Sequence, residues 1–398
     1  MSNTYVVDIL RTPVGKAPRG VFKNTLPDDL LGFTMKALQK RQSDIDWANI
    51  QDIVIGCAMP EAEQGMNIAR IASLLSGLPD TVPAMTINRF CSSGVQSIAT
   101  AGAALSDNNN PNQPALALAG GLESMSRVPL GGNKYTMNPA IFENEQIAIA
   151  YGMGITAEKV AERWKISREA QDEFAVESHK RAVAAIERGD FLEEIVPIPV
   201  KHRVPNLKTG EVVMHERMIS EDEGPRADTS YEKIARLKPV FSAKGTVTAG
   251  NTSQMSDGAG IALLANEAAL KAYNLEPLGR LLSFAVAGVP PEIMGIGPVH
   301  AIPKALKQAG LRLDQMDWIE LNEAFAAQAL AVIETLDLPR DKVNPLGGAI
   351  ALGHPLGATG TLKAATLLHG LRRTKGKYGM VTMCIGTGMG AAAIFEAL

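Results

Sequence analysis

Apolar positions fall into short β-like runs that alternate with stretches of helical spacing. Ala84-Met85-Thr86-Ile87, Ala115-Leu116-Ala117-Leu118-Ala119 and Met380-Val381-Thr382-Met383 are of the first kind. The segments from Leu30 to Lys40, Thr156 to Arg188 and Ala301 to Ala309 are of the second. This alternation predicts a layered α/β architecture with helices on both faces of a sheet.

The alternation occurs twice in the same order. A helical segment around Leu30 leads to Asp52-Ile53-Val54-Ile55-Gly56-Cys57, and another around Ala301 leads to Asp317-Trp318-Ile319-Glu320-Leu321-Asn322. Asp52 to Cys91 spans 39 positions against 37 from Asp317 to His354, and Cys91 to Gly120 spans 29 against 30 from His354 to Cys384. Terminal strands follow at Ile261 to Leu264 and at Ala393 to Phe395, the first only after a long interruption. The spacing predicts a duplicated unit: a first half from 1–121 plus 251–275, an insertion over 122–250, and a second half from 276–398. Within the insertion, Thr156 to Arg188 reads as helix, whereas Ile195 to Pro239 is rich in proline, glycine and mixed charge. Two readings of it stand open, a solvated excursion and a lid that helps hold a substrate.

Composition narrows the function classes. The 398 residues are 46% hydrophobic and 20% charged with a net charge of −3, which argues against a nucleic-acid surface or a polybasic membrane patch. Charged residues arrive early at the N-terminus and no apolar run is long enough to span a bilayer, so a cytoplasmic location is expected. Three widely spaced cysteines, Cys57, Cys91 and Cys384, support neither a disulfide framework nor a metal cluster.

Candidate chemistry starts at "NRFCSSGVQSIAT". Cys91 stands where a strand gives way to small residues and a helix, and helix N-termini lower a thiol's pKa. Taken alone, the stretch fits an inert buried thiol better. Its company alters that reading. In "NPLGGAIALGHPLGATG", His354 sits among glycines before another helix, and histidine is the usual base for activating a thiol. Duplication would place Cys91 and His354 at equivalent helix openings near a pseudo-twofold axis. In "VTMCIGTGMG", Cys384 precedes a turn rich in glycine, at Gly386, Gly388 and Gly390, whose free N–H groups suit an oxyanion hole better than a phosphate cradle, since no Lys-Ser/Thr ending follows. In "ELNEAFAAQA", Asn322 and Glu323 leave a strand, and Glu323 also reads as a first-turn carboxylate of the next helix.

Together these segments, with "GGLESMS", "YGMGITAEKVAERW" and "GTVTAGNTSQMSDGAG", resemble the thiolase family over essentially the whole chain. The resemblance implies a five-layered αβαβα fold of two similar halves with an inserted loop domain. It implies that Cys91 accepts the acyl group, His354 activates it and Cys384 exchanges a proton with the acetyl α-carbon. His354 with a water held by Asn322 would form one oxyanion site, and the N–H groups of Cys91 and Gly386 the other. Coenzyme A enters as co-substrate, with no permanently bound cofactor and no metal. Its contacts would come from Ser253, Ala249, Met153, Met294 and Phe325, with Arg226 near the nucleotide end. The implied reaction is thiolytic cleavage of 3-ketoacyl-CoA, as in β-oxidation, or the reverse condensation. The expected partners are acyl-CoA and CoA, a second copy in a homodimer or homotetramer, and a β-oxidation multienzyme partner. Nucleic acid is not expected.

One departure bears on substrate. Gly152 stands where short-chain acetoacetyl-CoA thiolases of the biosynthetic branch usually carry histidine, which leaves room for longer acyl chains. The alternative is that short-chain, biosynthetic enzyme. A decarboxylating condensing enzyme would not need Cys384, a non-catalytic acyl carrier would not need the four residues together, and a Cys/His hydrolase would work without coenzyme A.

Overall fold

A computed structural model describes residues 4–106, 112–134, 136–143 and 151–398. Its strands in chain order are β1 (Thr4–Arg11), β2 (Gly15–Lys16), β3 (Ile50–Gly56), β4 (Ala84–Ile87), β5 (Leu116–Ser124), β6 (Ile198–Pro205), β7 (Val212–Ile219), β8 (Ser256–Ala265), β9 (Gly279–Gly288), β10 (Trp318–Leu321), β11 (Tyr378–Ile385) and β12 (Met389–Ala397).

Pairing makes the duplication explicit. From its inner edge the first half runs β1-β8-β5-β3-β4, and the second runs β9-β12-β11-β10 in the matching order. Directions match as well: β8 is antiparallel to β1 and β5, as β12 is to β9 and β11, while β3 is parallel to β5 as β10 is to β11. Where the first half has β4 beside Ile53, the second has one parallel bridge, Ile319 to Val343. Thr4–Val6 of β1 pairs antiparallel with Gly279–Leu281 of β9 and joins the two sheets at their inner edges.

Side-chain alternation sorts the strands into layers. Ile53 and Ile55 of β3, Leu116 and Leu118 of β5, and Ile261 and Leu263 of β8 pack on the Pro27–Arg41 helix through Leu30, Leu31, Met35 and Leu38. Their neighbours Val54, Ala117, Ala119 and Ala262 face a central core containing Val95, Ile98, Leu367, Leu368 and Leu371, and Val381, Met383 and Phe395 reach that core from the second sheet. Met380, Ala392 and Ile394 face the opposite way, toward the helices Gly297–Ala309 and Ala326–Leu336. The order is therefore helix, sheet, helix pair, sheet, helix: five layers, as the family resemblance implied. Each fully buried Leu or Ile in such a core contributes about 1.5–3 kcal/mol.

The central layer is formed by the helices Ser93–Ser106 and Leu356–Thr374, the two that open just after Cys91 and His354. They cross at glycines. A Cβ on Gly94 would lie 2.6 Å from Thr361 Oγ1, and one on Gly360 would run into the backbone nitrogen of Val95. The insertion is not a solvated excursion over its helical part. Val160 of the Met153–Trp164 helix and Phe174, Ala175 and Val176 of the Arg168–Arg188 helix belong to the core under the second sheet. The single helix expected from Thr156 to Arg188 breaks at Lys165, which takes a left-handed conformation with φ 57°. In the stretch rich in proline, glycine and mixed charge, β6 and β7 form an antiparallel hairpin. Among the described residues no helix is long and apolar enough to cross a membrane.

Candidate active site

Cys91 lies in a short 3-10 turn, Phe90–Ser92, that runs into the Ser93–Ser106 helix. Phe90 reaches φ 44°, a left-handed conformation, and Ser93 Oγ accepts from the Arg89 N–H at 2.8 Å, tying the turn across its base. The turn packs on both the helix after His354 and the strand that carries Cys384. Its thiol faces two backbone N–H groups, those of Gly386 and of Cys91 itself. The helix N-terminus was expected to lower this pKa. Instead, although Cys91 is only half-buried as a residue, desolvation of its sulfur outweighs both N–H groups and pushes the thiol up to about 11, helped by the Glu123 carboxylate.

His354 is buried, and both ring nitrogens are engaged. Asn322 Nδ2 donates to Nε2 at 3.2 Å, so Nδ1 carries the proton and donates to Thr359 Oγ1 at 2.6 Å. The His354 backbone N–H donates to Ser256 Oγ at 3.0 Å. Burial, reinforced by the Lys363 ammonium, holds the imidazole pKa down to about 3. The ring is thus a neutral base with its lone pair at Nε2. Among the described residues His354 makes no hydrogen bond to Cys91, and the thiol and imidazole are both neutral rather than an ion pair.

Cys384 is fully buried near the end of β11, opposite Gly390 of β12. Desolvation raises its thiol far above the ordinary range, and Cys91 raises it further, which sets the two sulfurs in each other's field. Gly386, Thr387 and Gly388 form the β11–β12 hairpin turn, with φ 68° at Thr387 and 91° at Gly388, so this glycine run has no helix behind it for a phosphate. The third cysteine, Cys57, lies apart in the outer core of the first half, its thiol 3.9 Å from Glu123.

Four of the expected substrate contacts gather near Cys384. Met153, Met294 and Phe325 share one apolar cluster with it, together with Ala157, Val247 and Ala324. Ser253 adjoins them, its N–H donating to the Ala324 carbonyl at 3.0 Å. Ala249 is exposed on the same loop. Glu158, accepting from Thr246 N at 2.9 Å and Val247 N at 3.0 Å, pins that loop, as does Asp172, accepting from Asn251 Nδ2 at 2.9 Å. Arg226 stands outside the cluster, on the surface, paired with Asp228 at 3.3 Å.

Some site residues escaped the sequence reading. Glu323 is no first-turn carboxylate: the following helix starts at Ala326, and Glu323 instead accepts from Ser178, Asn344 and Ile350. Glu123, in the quoted "GGLESMS", accepts from Ala58 N, Gln64 Nε2 and Gly357 N at 2.7–2.9 Å, holding the end of β3 to the helix that follows His354. Thr359 is legible only as the fifth residue after His354, returned to it by one helical turn.

Family models describe two consecutive parts of the chain: the thiolase N-terminal domain matches residues 4–268 and the thiolase C-terminal domain residues 275–397. This chain belongs to the thiolase family. The thiolase chain is 49% identical to the 3-ketoacyl-CoA thiolase of Bacillus subtilis (strain 168), covering 100% of both. It is 46% identical to the peroxisomal 3-ketoacyl-CoA thiolase B of Mus musculus, covering 99% of this chain and 91% of the relative. Among solved structures, the Bacillus anthracis acetyl-CoA acetyltransferase superposes with a TM-score of 0.89 at 38% identity, covering 100% of this chain and 99% of the other. Human mitochondrial 3-ketoacyl-CoA thiolase gives 0.88 at 38% identity with the same coverage.

Proposed function

We propose that this thiolase-family chain is an acyltransferase that cleaves 3-ketoacyl-CoA with CoA, giving acetyl-CoA and a shortened acyl-CoA, and that it also runs the reverse condensation. The observation that carries this reading is the full-length likeness to 3-ketoacyl-CoA thiolases, at 49% and 46% identity. The arrangement of Cys91, His354, Asn322 and Cys384 supports it.

The neutral pair at Cys91 and His354 shapes the first step. As the Cys91 sulfur attacks the 3-keto carbon, its proton passes to the lone pair of His354 Nε2, displacing the hydrogen bond donated there by Asn322 Nδ2. The bond between carbons 2 and 3 then breaks, and its electrons leave as the enolate of acetyl-CoA. Cys384, kept protonated by burial, delivers its proton to carbon 2. In the second half-reaction the CoA thiol returns a proton to Cys384 and attacks the acyl carbon, and Cys91 leaves and recovers its proton from His354. The acyl group thus moves between two thiols with a balanced proton count.

Both oxygens that gain charge have donors at hand. The N–H groups of Cys91 and Gly386 already face the sulfur and serve the acyl oxygen. For the enolate oxygen, protonated His354 Nε2 donates alongside a water held by Asn322, whose buried Oδ1 has no protein partner. Preorganised donors of this type are worth about 3–4 kcal/mol each. The Met153, Met294 and Phe325 cluster with Ser253 and Ala249 would line the pantetheine path, and Arg226 the nucleotide end. A β-oxidation role, a homodimer or homotetramer, a multienzyme partner and a cytoplasmic site complete the reading, with the chain divided as 1–121 plus 251–275, 122–250 and 276–398.

Room at Gly152 favours chains longer than acetoacetyl: no described atom lies within 4 Å of a Cβ there. Incubating the purified protein with 3-ketohexanoyl-CoA and free CoA should release acetyl-CoA. Absence of CoA-dependent product would falsify the assignment.

A further inference from the structure

Glu323 follows Asn322 directly and is 2% exposed. Its carboxylate collects donors from three separate elements. Oε2 accepts from Ser178 Oγ at 2.7 Å and from the Ile350 N–H at 3.2 Å, and Oε1 accepts from Asn344 Nδ2 at 2.7 Å. Ser178 belongs to the insertion, on the Arg168–Arg188 helix, and its Oγ also accepts from the Gly348 N–H at 3.0 Å. Asn344 pairs with the residue before Asn322 as a strand neighbour would: its Oδ1 accepts from Leu321 N at 2.9 Å and its Nδ2 donates to Leu321 O at 2.8 Å.

The glycines of "NPLGGAI" make this contact possible. A Cβ on Gly348 would run into the Glu323 carboxylate, and one on Gly347, at φ 81°, would lie 2.6 Å from the Ser178 carbonyl oxygen. The segment that leads to His354 therefore lies flat on Glu323 and Ser178. A buried carboxylate stripped of such donors costs several kcal/mol, so the three elements are held in one relative placement.

We propose that Glu323, with Ser178 and Asn344, is a positioning residue that locks the insertion helix, Asn322 and the His354 segment into one unit. Catalytic geometry at His354 Nε2 then depends on where the insertion sits, although Ser178 touches neither thiol nor imidazole. The proposal rests on the roles given above to Asn322 and His354.

Glu323→Gln and Ser178→Ala test it, read by kcat, by KM for CoA and 3-ketoacyl-CoA, by thermal unfolding and by amide hydrogen exchange over residues 344–352. Glu323→Gln should lower kcat about 10- to 100-fold with both KM values within about threefold, the size of loss that follows a small misplacement of reacting groups. Exchange at Gly348 and Ile350 should quicken. Ser178→Ala, which removes one hydroxyl, should act in the same direction more weakly and decides the matter if Glu323→Gln does not fold. An unchanged kcat in folded Ser178→Ala, or a kcat loss equal to the loss of folded protein, would overturn the proposal. If the wild type shows no CoA-dependent cleavage, the thiolase reading fails, and the exchange measurement still decides whether Glu323 links the three elements.

Discussion

Asn322 Nδ2 lies 3.2 Å from His354 Nε2, and that contact decides which ring nitrogen carries the lone pair. An amide NH₂ only donates, so Nε2 keeps its lone pair while Thr359 holds the proton at Nδ1. Replacing Asn322 with Ala should lower kcat about 10²–10³-fold with little change in KM, as for loss of one oxyanion donor. Asn322→Asp should be worse near neutral pH, because a carboxylate favours imidazolium and removes the base. Steady-state kinetics of the two variants would check this, and equal, small losses would count against the tautomer.

The proposed roles assign the two thiols different steps, so their loss should be separable. Cys91→Ala should abolish both cleavage and the formation of an acyl-enzyme seen by intact mass. Cys384→Ala should still accept an acyl group from acyl-CoA while losing deuterium exchange at the acetyl methyl. A Cys384→Ala protein that exchanges like wild type would transfer the acid/base role elsewhere.

The same burial that keeps His354 neutral links stability to pH. Its ordinary pKa of 6.5 is held down to about 3 in the folded protein, so the unfolded chain takes the proton first. That contribution is complete above about pH 6.5 and shrinks as pH falls. Cys91 works in the opposite sense. Its thiol rises from 9.0 to about 11, so its contribution is complete below pH 9 and lost as pH climbs toward 11. Melting temperatures should decline on both sides. The slope from about pH 6.5 to 5, which the buried His179 shares, should flatten in part in His354→Gln, and the alkaline slope, which Cys384 shares, in part in Cys91→Ala. Unaltered slopes would mean that these groups titrate normally.

Gly152 caps the Met153–Trp164 helix in an extended conformation, φ −60° and ψ 145°, that any residue can adopt. Gly152→His should fold normally and shift kcat/KM toward acetoacetyl-CoA at the expense of a six- to ten-carbon substrate, about 10-fold or more in the ratio, the usual scale for reshaping a hydrophobic pocket. An unmoved ratio would place chain-length selection at other residues.

The helix crossing behind the site allows no Cβ. Gly94→Ala would set a methyl 2.7 Å from the Thr361 backbone nitrogen and should cost about 1–3 kcal/mol, read as a lower urea midpoint. Because the crossing sets Cys91 against the second half, activity in the folded fraction should fall too.

Much of this was legible in the chain because it is local. Alternating apolar runs at Ile53, Leu118 and Met380 dictate strands buried on both faces, and repeated spacing announced two matching halves before any pairing was known. Cys91 and Cys384 stood out because each follows or ends such a run beside small residues, and His354 because it sits among glycines just before a helix. What spacing cannot carry is desolvation. The helix N-terminus beside Cys91 implied a lowered thiol pKa, yet the surrounding protein removes enough water to reverse the sign. Glu323 shows the same limit: next to Asn322 in sequence it read as a helix-end carboxylate, but its donors come from residues 178, 344 and 350, which only the folded chain assembles. Hydrophobic period and glycine placement act over a few residues and so are written in order along the chain; the protonation states and the linkage of the insertion to the site depend on summed fields and burial from distant segments, and those exist only in three dimensions.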